Sequence, residues 1–113
     1  MAYDEELADR IRELVGSERD VSEMRMFGGI AFLINGNMAV AASGQGGLMV
    51  RVDAADTEKL LTEPEAQPMV MRGRELAGWL RVDTTGLTTE KQLRSWVDRG
   101  VAYAGSLPAK KDR

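Results

Sequence analysis

The chain has 113 residues and a formal charge of −3, and it contains neither cysteine nor histidine. This composition excludes disulfides, thiol nucleophiles, histidine-based acid–base catalysis and the usual zinc sites. The acidic balance argues against broad electrostatic capture of nucleic acid. With 43% apolar residues and no long apolar run, we expect one soluble, cytoplasmic domain.

The first predicted element is a helix over residues 4–15. Apolar residues recur there at helical spacing between Leu7 and Val15, which is typical of an amphipathic helix. Acidic residues at its start complement the positive end of the helix dipole. Gly16 supplies a C-terminal stop.

The stretch from Met24 to Val52 predicts sheet, with three strands. Asn35-Gly36 is the strongest short-range signal for a β-hairpin, because a type I′ turn needs positive φ at both central positions. We interpret four residues as structural turns: Gly28, Gly29, Asn35 and Gly36. The three predicted strands span residues 30–34, 37–42 and 48–52.

Beyond Val52 the sequence predicts a short helix, two strands and a long helix. Asp53 suits the N-cap of the short helix, 54–61. Thr89 with Gln92 forms a capping-box signature for the long helix, which reaches about Ser106. The two strands span residues 68–71 and 79–82.

This order of elements predicts a two-layer α+β domain with a mainly antiparallel, five-stranded sheet in the order α-β-β-β-α-β-β-α. We place the single domain at residues 1–107 and a basic C-terminal tail at 108–113.

Both faces of the central hairpin are apolar. A two-residue turn would pair Phe32 with Ala39 on one face and Ala31 with Val40 on the other. A hairpin with one solvated face should alternate, so either helices cover both faces or another chain covers one. Methionines along these strands suit an adaptable interface, although core packing also explains them.

If all three helices share one side, the other face would expose residues such as Leu33, Met38 and Val40, or their neighbours of opposite parity. Monomeric proteins seldom leave large contiguous apolar patches. Two-fold dimers are the commonest oligomers, so we expect a homodimer.

Three arginines lie between apolar neighbours in segments that predict sheet, two of them in strands given above and one in the alternating Met-Arg-Met segment at the start of the sheet. If their strands are adjacent, Arg25, Arg51 and Arg81 form a cationic patch; otherwise each is a solvated sheet residue with its stem over apolar surface. Such a patch would permit weak direct DNA binding. Alternatively, Arg25, Phe27 and Trp79 border a pocket for a small ligand.

Several segments together resemble the N-terminal domain of TfoX. They are Arg25-Met26-Phe27-Gly28-Gly29, Phe32 with Asn35-Gly36-Asn37-Met38, Leu48-Met49-Val50-Arg51, Gly78-Trp79 and Trp96-Val97. The Met-Phe-Gly-Gly segment is the most specific. The resemblance implies a two-layer α+β domain with an antiparallel sheet, akin to secretion-chaperone-like folds.

In the best-known members of that family, as the resemblance implies, this domain precedes a second domain in a positive regulator of competence genes that acts with a transcription activator. The present sequence stops at Arg113, so we expect a stand-alone N-terminal domain. The resemblance provides no catalytic or ligand residues.

These observations predict a non-enzymatic regulatory or protein-interaction module without metal or cofactor. No serine has a histidine partner or lies in a G-x-S-x-G elbow. The expected partners are a second copy of the chain or another protein. Small-ligand binding and weak direct DNA binding are the alternatives.

Overall fold

A computed structural model describes residues 4–16, 21–26, 28–44, 46–63, 65–71 and 73–108. Within these ranges the chain forms three α-helices, two short 3₁₀ helices and six strands. The helices are α1 Glu5–Val15, α2 Thr57–Leu60 and α3 Glu90–Ser106, with 3₁₀ turns at Ala54–Asp56 and Thr84–Leu87. The strands are β1 Val21–Met26, β2 Gly29–Ile34, β3 Asn37–Ala42, β4 Leu48–Arg51, β5 Ala66–Met71 and β6 Arg74–Val82.

The strands form one antiparallel sheet in the order β1-β2-β3-β4-β6-β5. Apolar side chains of all three helices join the main core cluster with one face of this sheet, so the domain has two layers. The predicted α+β class and antiparallel sheet are confirmed. None of the described helices is long and apolar enough to cross a membrane.

The predicted number of strands is wrong, because the described residues contain six strands and not five. The additional strand is β1, which pairs with β2 along its whole length. Its sequence, Val-Ser-Glu-Met-Arg-Met, lacks the apolar run of the central strands, because its side chains at residues 22–25 are exposed whereas those of β2 are buried. Strands β5 and β6 also begin earlier than predicted, at Ala66 and Arg74.

Local capping positions the two long helices. The Asp4 carboxylate accepts a hydrogen bond from the Leu7 amide at 3.1 Å at the start of α1. At the start of α3, Thr89 and Gln92 exchange side-chain and backbone hydrogen bonds as a capping box. Each cap satisfies amide groups that have no partner within the helix.

The core lies between the helices and one face of the sheet, here called the helix-covered face. Phe32, Val40, Val50 and Leu80 are fully buried there, together with Ile11 of α1. One row of directly paired residues on this face crosses every strand: Glu23, Phe32, Val40, Val50, Leu80 and Pro68. The row is apolar except at Glu23, its outer end on β1.

The predicted pairing of the central hairpin is right beside the turn and wrong beyond it. Asn35 and Gly36 have φ values of 54° and 81°, and Leu33 lies opposite Met38. The register then shifts, so that Ala39 is an extra residue.

This bulge places Val40 opposite Phe32, on the helix-covered face. The bulge lies where helix α3 packs against β3. Gly100 packs directly on the bulge, and a Cβ at Gly100 would overlap the carbonyl oxygen of Ala39. The close approach of α3 therefore depends on a residue without a side chain.

Candidate functional site

The opposite face of the sheet, here called the second face, carries a smaller apolar cluster. Ala31, Leu33 and Ala41 form its centre, and Met38 and Met49 pack against them. No residue of a described helix belongs to this cluster. A row of directly paired residues crosses all six strands on this face: Met24, Ala31, Ala41, Met49, Arg81 and Gln67.

The second face is less exposed than the sequence predicts. Leu33 is 8% exposed, and Ala31 and Ala41 are buried. The two ends of the row are exposed: Met24 on β1, at 48%, and the polar Gln67 on β5. Among the described residues, the other large apolar side chain with a comparable exposed fraction is Val70, on the edge strand β5, at 54%.

Met24 lies between two charged residues of opposite sign. Glu23 and Arg25 are exposed and flank it on β1. Their register positions, opposite Phe32 and Ile30 respectively, place them on the helix-covered side of the sheet. The edge strand therefore presents a methionine on one side and a glutamate–arginine pair on the other.

Glu23 is held by Arg12 of α1. The Arg12 Nε and Nη2 atoms donate to the two Glu23 carboxylate oxygens at 2.6 and 3.0 Å. This hydrogen bonding holds the pKa of Glu23 below its usual value; partial burial opposes the effect, and the Arg12 charge adds to it. Arg12 also donates to Asp9 at 2.6 Å. The network ties the edge strand to α1 through an ionised Glu23.

Arg25 differs from Glu23 in having no such anchor. Within the described part of the chain, its guanidinium makes neither a hydrogen bond nor an ion pair. Its charge is exposed beside Met24 at the edge of the sheet.

The three strand arginines do not form one patch. Their strands are β1 for Arg25, β4 for Arg51 and β6 for Arg81. Strands β2, β3 and β4 separate β1 from β6, whereas β4 and β6 are neighbours, so Arg51 and Arg81 lie on adjacent strands and Arg25 is remote from Arg81. The Arg51 guanidinium carbon lies 5.6 Å from the centre of the Tyr103 ring of α3. Arg81 instead donates to the Ser43 hydroxyl at 3.1 Å and the Gly46 carbonyl at 2.9 Å.

The residues predicted to border a ligand pocket are also apart. Trp79 lies opposite Arg51 in the β4–β6 ladder and is partly buried. It is separated from Arg25 by the same three strands, and Phe27 lies outside the described residues. A ligand role for these side chains stays a prediction.

Two of the predicted turn glycines precede and begin β2. Gly28 has a φ of 79°, a conformation that favours glycine. Gly29 starts the strand opposite Met26, and a Cβ there would overlap the Ala42 carbonyl oxygen.

Sequence reasoning missed a groove of about 590 Å³ between α2 and α3. Its ionisable lining residues are Asp53, Asp56, Lys59, Glu63, Arg99 and Tyr103. No local motif predicts it, because the lining comes from segments forty residues apart in sequence that tertiary packing brings together. The acidic residues form no group of three that could hold a metal ion, here or elsewhere in the described ranges.

Comparison with known families agrees with the resemblance in the sequence. A family model described as the TfoX N-terminal domain matches residues 13–104. The match runs from α1 into the last turns of α3 and includes the whole sheet. Comparisons with curated proteins and with solved structures give no match. Because the matched segment spans most of the 113 residues, the chain belongs to the TfoX N-terminal domain family.

Proposed function

We propose that this protein is a non-enzymatic regulatory module that acts through protein–protein contacts and forms a homodimer. One observation carries the proposal. The apolar row of the second face ends at Met24, which is half-exposed on an edge strand. Methionine adapts readily to a facing surface, and an edge strand offers backbone groups for pairing with another chain.

The residue inventory supports a role without catalysis. The chain has no histidine or cysteine, which are the commonest general base and the most reactive nucleophile in enzymes. The pKa of Glu23 is lowered by its bond to Arg12, which suits an ion pair and does not suit a general acid at neutral pH. Membership of the TfoX family supports the regulatory part of the proposal.

Sedimentation equilibrium of Met24→Lys tests self-association. Lysine at this position should shift the dimer towards the 12.4 kDa monomer, because an ammonium group must then be desolvated in the contact. Val70→Lys is the matched control: Val70 is equally exposed on the other edge strand, and its change should leave the dimer intact. A wild-type protein that stays at 12.4 kDa at every concentration would refute the proposed dimer.

Small-ligand binding is the second candidate, and the groove between α2 and α3 favours it. Its volume, about 590 Å³, lies within the usual range of ligand sites. Its two cations and three carboxylates suit a small polar ligand. Native mass spectrometry of the protein purified from its own cytosol tests this candidate. A bound metabolite should be retained by the wild type and lost from Lys59→Glu; an unliganded spectrum of the wild type would count against it.

A further inference from the structure

We infer that two copies associate edge to edge, with β1 antiparallel to β1 of the partner and the two-fold axis at Met24. The inference rests on the proposed self-association and specifies its geometry. In this arrangement Met24 faces the partner's Met24, Glu23 faces the partner's Arg25, and Arg25 faces the partner's Glu23. The partner is a second copy of this chain.

The two edges of the sheet differ in how well they can pair. Strand β5 contains Pro68, which has no amide hydrogen, and its ladder is irregular between Pro68 and Val70. Both features discourage pairing at an edge. Strand β1 contains neither proline nor glycine, and it pairs with β2 without a register shift. The regular, unblocked edge is therefore β1.

The backbone of β1 is oriented for this pairing. Met26 and Gly29 face each other across a two-residue connection, which is a hydrogen-bonded position in an antiparallel hairpin. By the alternation of the ladder, Met24 also bonds to β2, while the N–H and C=O groups of Glu23 and Arg25 point away from it. These groups make no backbone hydrogen bond within the described part of the chain, and an axis at Met24 aligns them with those of the partner.

Charge selects this register over its neighbours. An axis at Glu23 would oppose two carboxylates, and an axis at Arg25 would oppose two guanidinium groups. An axis at Ser22 would place Val21 opposite Glu23 of the partner subunit. The axis at Met24 produces two opposite-charge pairs, which stabilise a ladder where like charges destabilise it.

The side chains involved are available for these contacts. Arg25 is exposed and has no ion-pair partner in the described part of the chain. Glu23 is bonded to Arg12, but a carboxylate has about four lone-pair sites and can accept a further guanidinium. On the second face the axis brings the two Met24 side chains together and joins the apolar rows of the two copies.

Cysteine cross-linking tests the position of the axis. The chain has no cysteine, so Met24→Cys carries a single thiol. In a non-hydrogen-bonded antiparallel pair the facing Cα atoms are about 4.5 Å apart, within the range for a disulfide. Mild oxidation should link this variant into a covalent dimer, while Val70→Cys on β5 stays monomeric. Equal cross-linking of both variants would overturn the inference.

Charge substitution tests the register independently. In Arg25→Glu, each of the two opposite-charge pairs becomes a pair of facing carboxylates. The dimer should therefore weaken about tenfold or more, whereas Arg25→Lys should retain it. The matched control is Arg74→Glu, which changes an exposed arginine on β6. If Arg25→Glu dimerises like the wild type while Met24→Lys does not, the edge-to-edge geometry is wrong and the proposed self-association stands. A monomeric wild type would refute both.

Discussion

The helix-covered face and the second face are built on the same six strands, yet they bury apolar side chains in different ways. The first row places Phe32, Val40, Val50 and Leu80 beneath α1 and α3. On the same four strands the second row has Ala31, Ala41, Met49 and Arg81, and it ends on β1 at Met24. Large apolar side chains need a layer of helices over them to be shielded from water, whereas alanines beside methionines present less apolar surface to be covered.

The comparison has a consequence for function. The helix-covered row ends on β1 at Glu23, which binds Arg12 within the same chain. The second row ends on the same strand at Met24, for which the described helices provide no cover. Strand β1, which carries the candidate contact with another chain, therefore presents an internally bonded glutamate on the helix-covered side and an exposed methionine on the second side.

Truncating one residue on each face should produce the largest measurable difference. Phe32→Ala should lower the free energy of unfolding by about 3–5 kcal/mol, because it leaves a cavity in the core between the helices and the helix-covered face. Met49→Ala should lower it by about 1–2 kcal/mol, because Met49 is only partly buried. Urea denaturation of both variants measures the difference. Equal losses would mean that the second face is packed as tightly as the first.

The contact of α3 with the bulge of β3 should give the next largest effect. Gly100→Ala forces a methyl group against the Ala39 carbonyl and should destabilise the fold by about 1–3 kcal/mol. Gly105→Ala, in the same helix but facing open space, should stabilise it by up to about 1 kcal/mol. Thermal melting compares them, and opposite signs are expected. A neutral Gly100→Ala would mean that α3 does not need this close approach.

Sequence predicts the elements whose signals are local. The hairpin turn needs only Asn35 and Gly36, and the start of α3 needs only Thr89 and Gln92, so both are evident from neighbouring residues. Strand β1 is not among the predicted strands, because most of its described side chains are exposed and its pattern is correspondingly polar. The bulge at Ala39 packs against Gly100, sixty-one positions further along the chain, and no local pattern encodes such a contact.

The candidate site can be predicted only in part from the sequence, because it too depends on how segments distant in sequence are arranged. Arg25 can be identified as a candidate from the sequence alone, because it is a charged residue between two methionines. Its separation from Arg81, however, follows from the strand order, in which β4 pairs with β6 and β1 lies at the far edge. The importance of Met24 likewise emerges from its position at the end of a row.

The smallest expected effect concerns Glu23, where the helix-covered row reaches the edge of the sheet. Glu23→Gln removes a partly exposed ion pair with Arg12 and should lower the free energy of unfolding by about 1 kcal/mol or less at neutral pH. Because the folded-state pKa of Glu23 is lowered, its contribution is present above the usual value of 4.5 and is lost as the pH falls through the lower folded value. The stability difference between the two proteins should therefore shrink towards zero in acid.

Two controls isolate this ion pair. Both proteins should carry Met24→Lys, so that contacts between copies do not contribute to the difference. Glu75→Gln in the same background changes an exposed glutamate of β6 for which the described residues provide no ion pair, and its effect on stability should be small. Denaturant titrations at several pH values measure both differences. If the Glu23→Gln difference stays constant as the pH falls below 4.5, Arg12 does not stabilise the ionised carboxylate, and this ion pair does not hold β1 to α1.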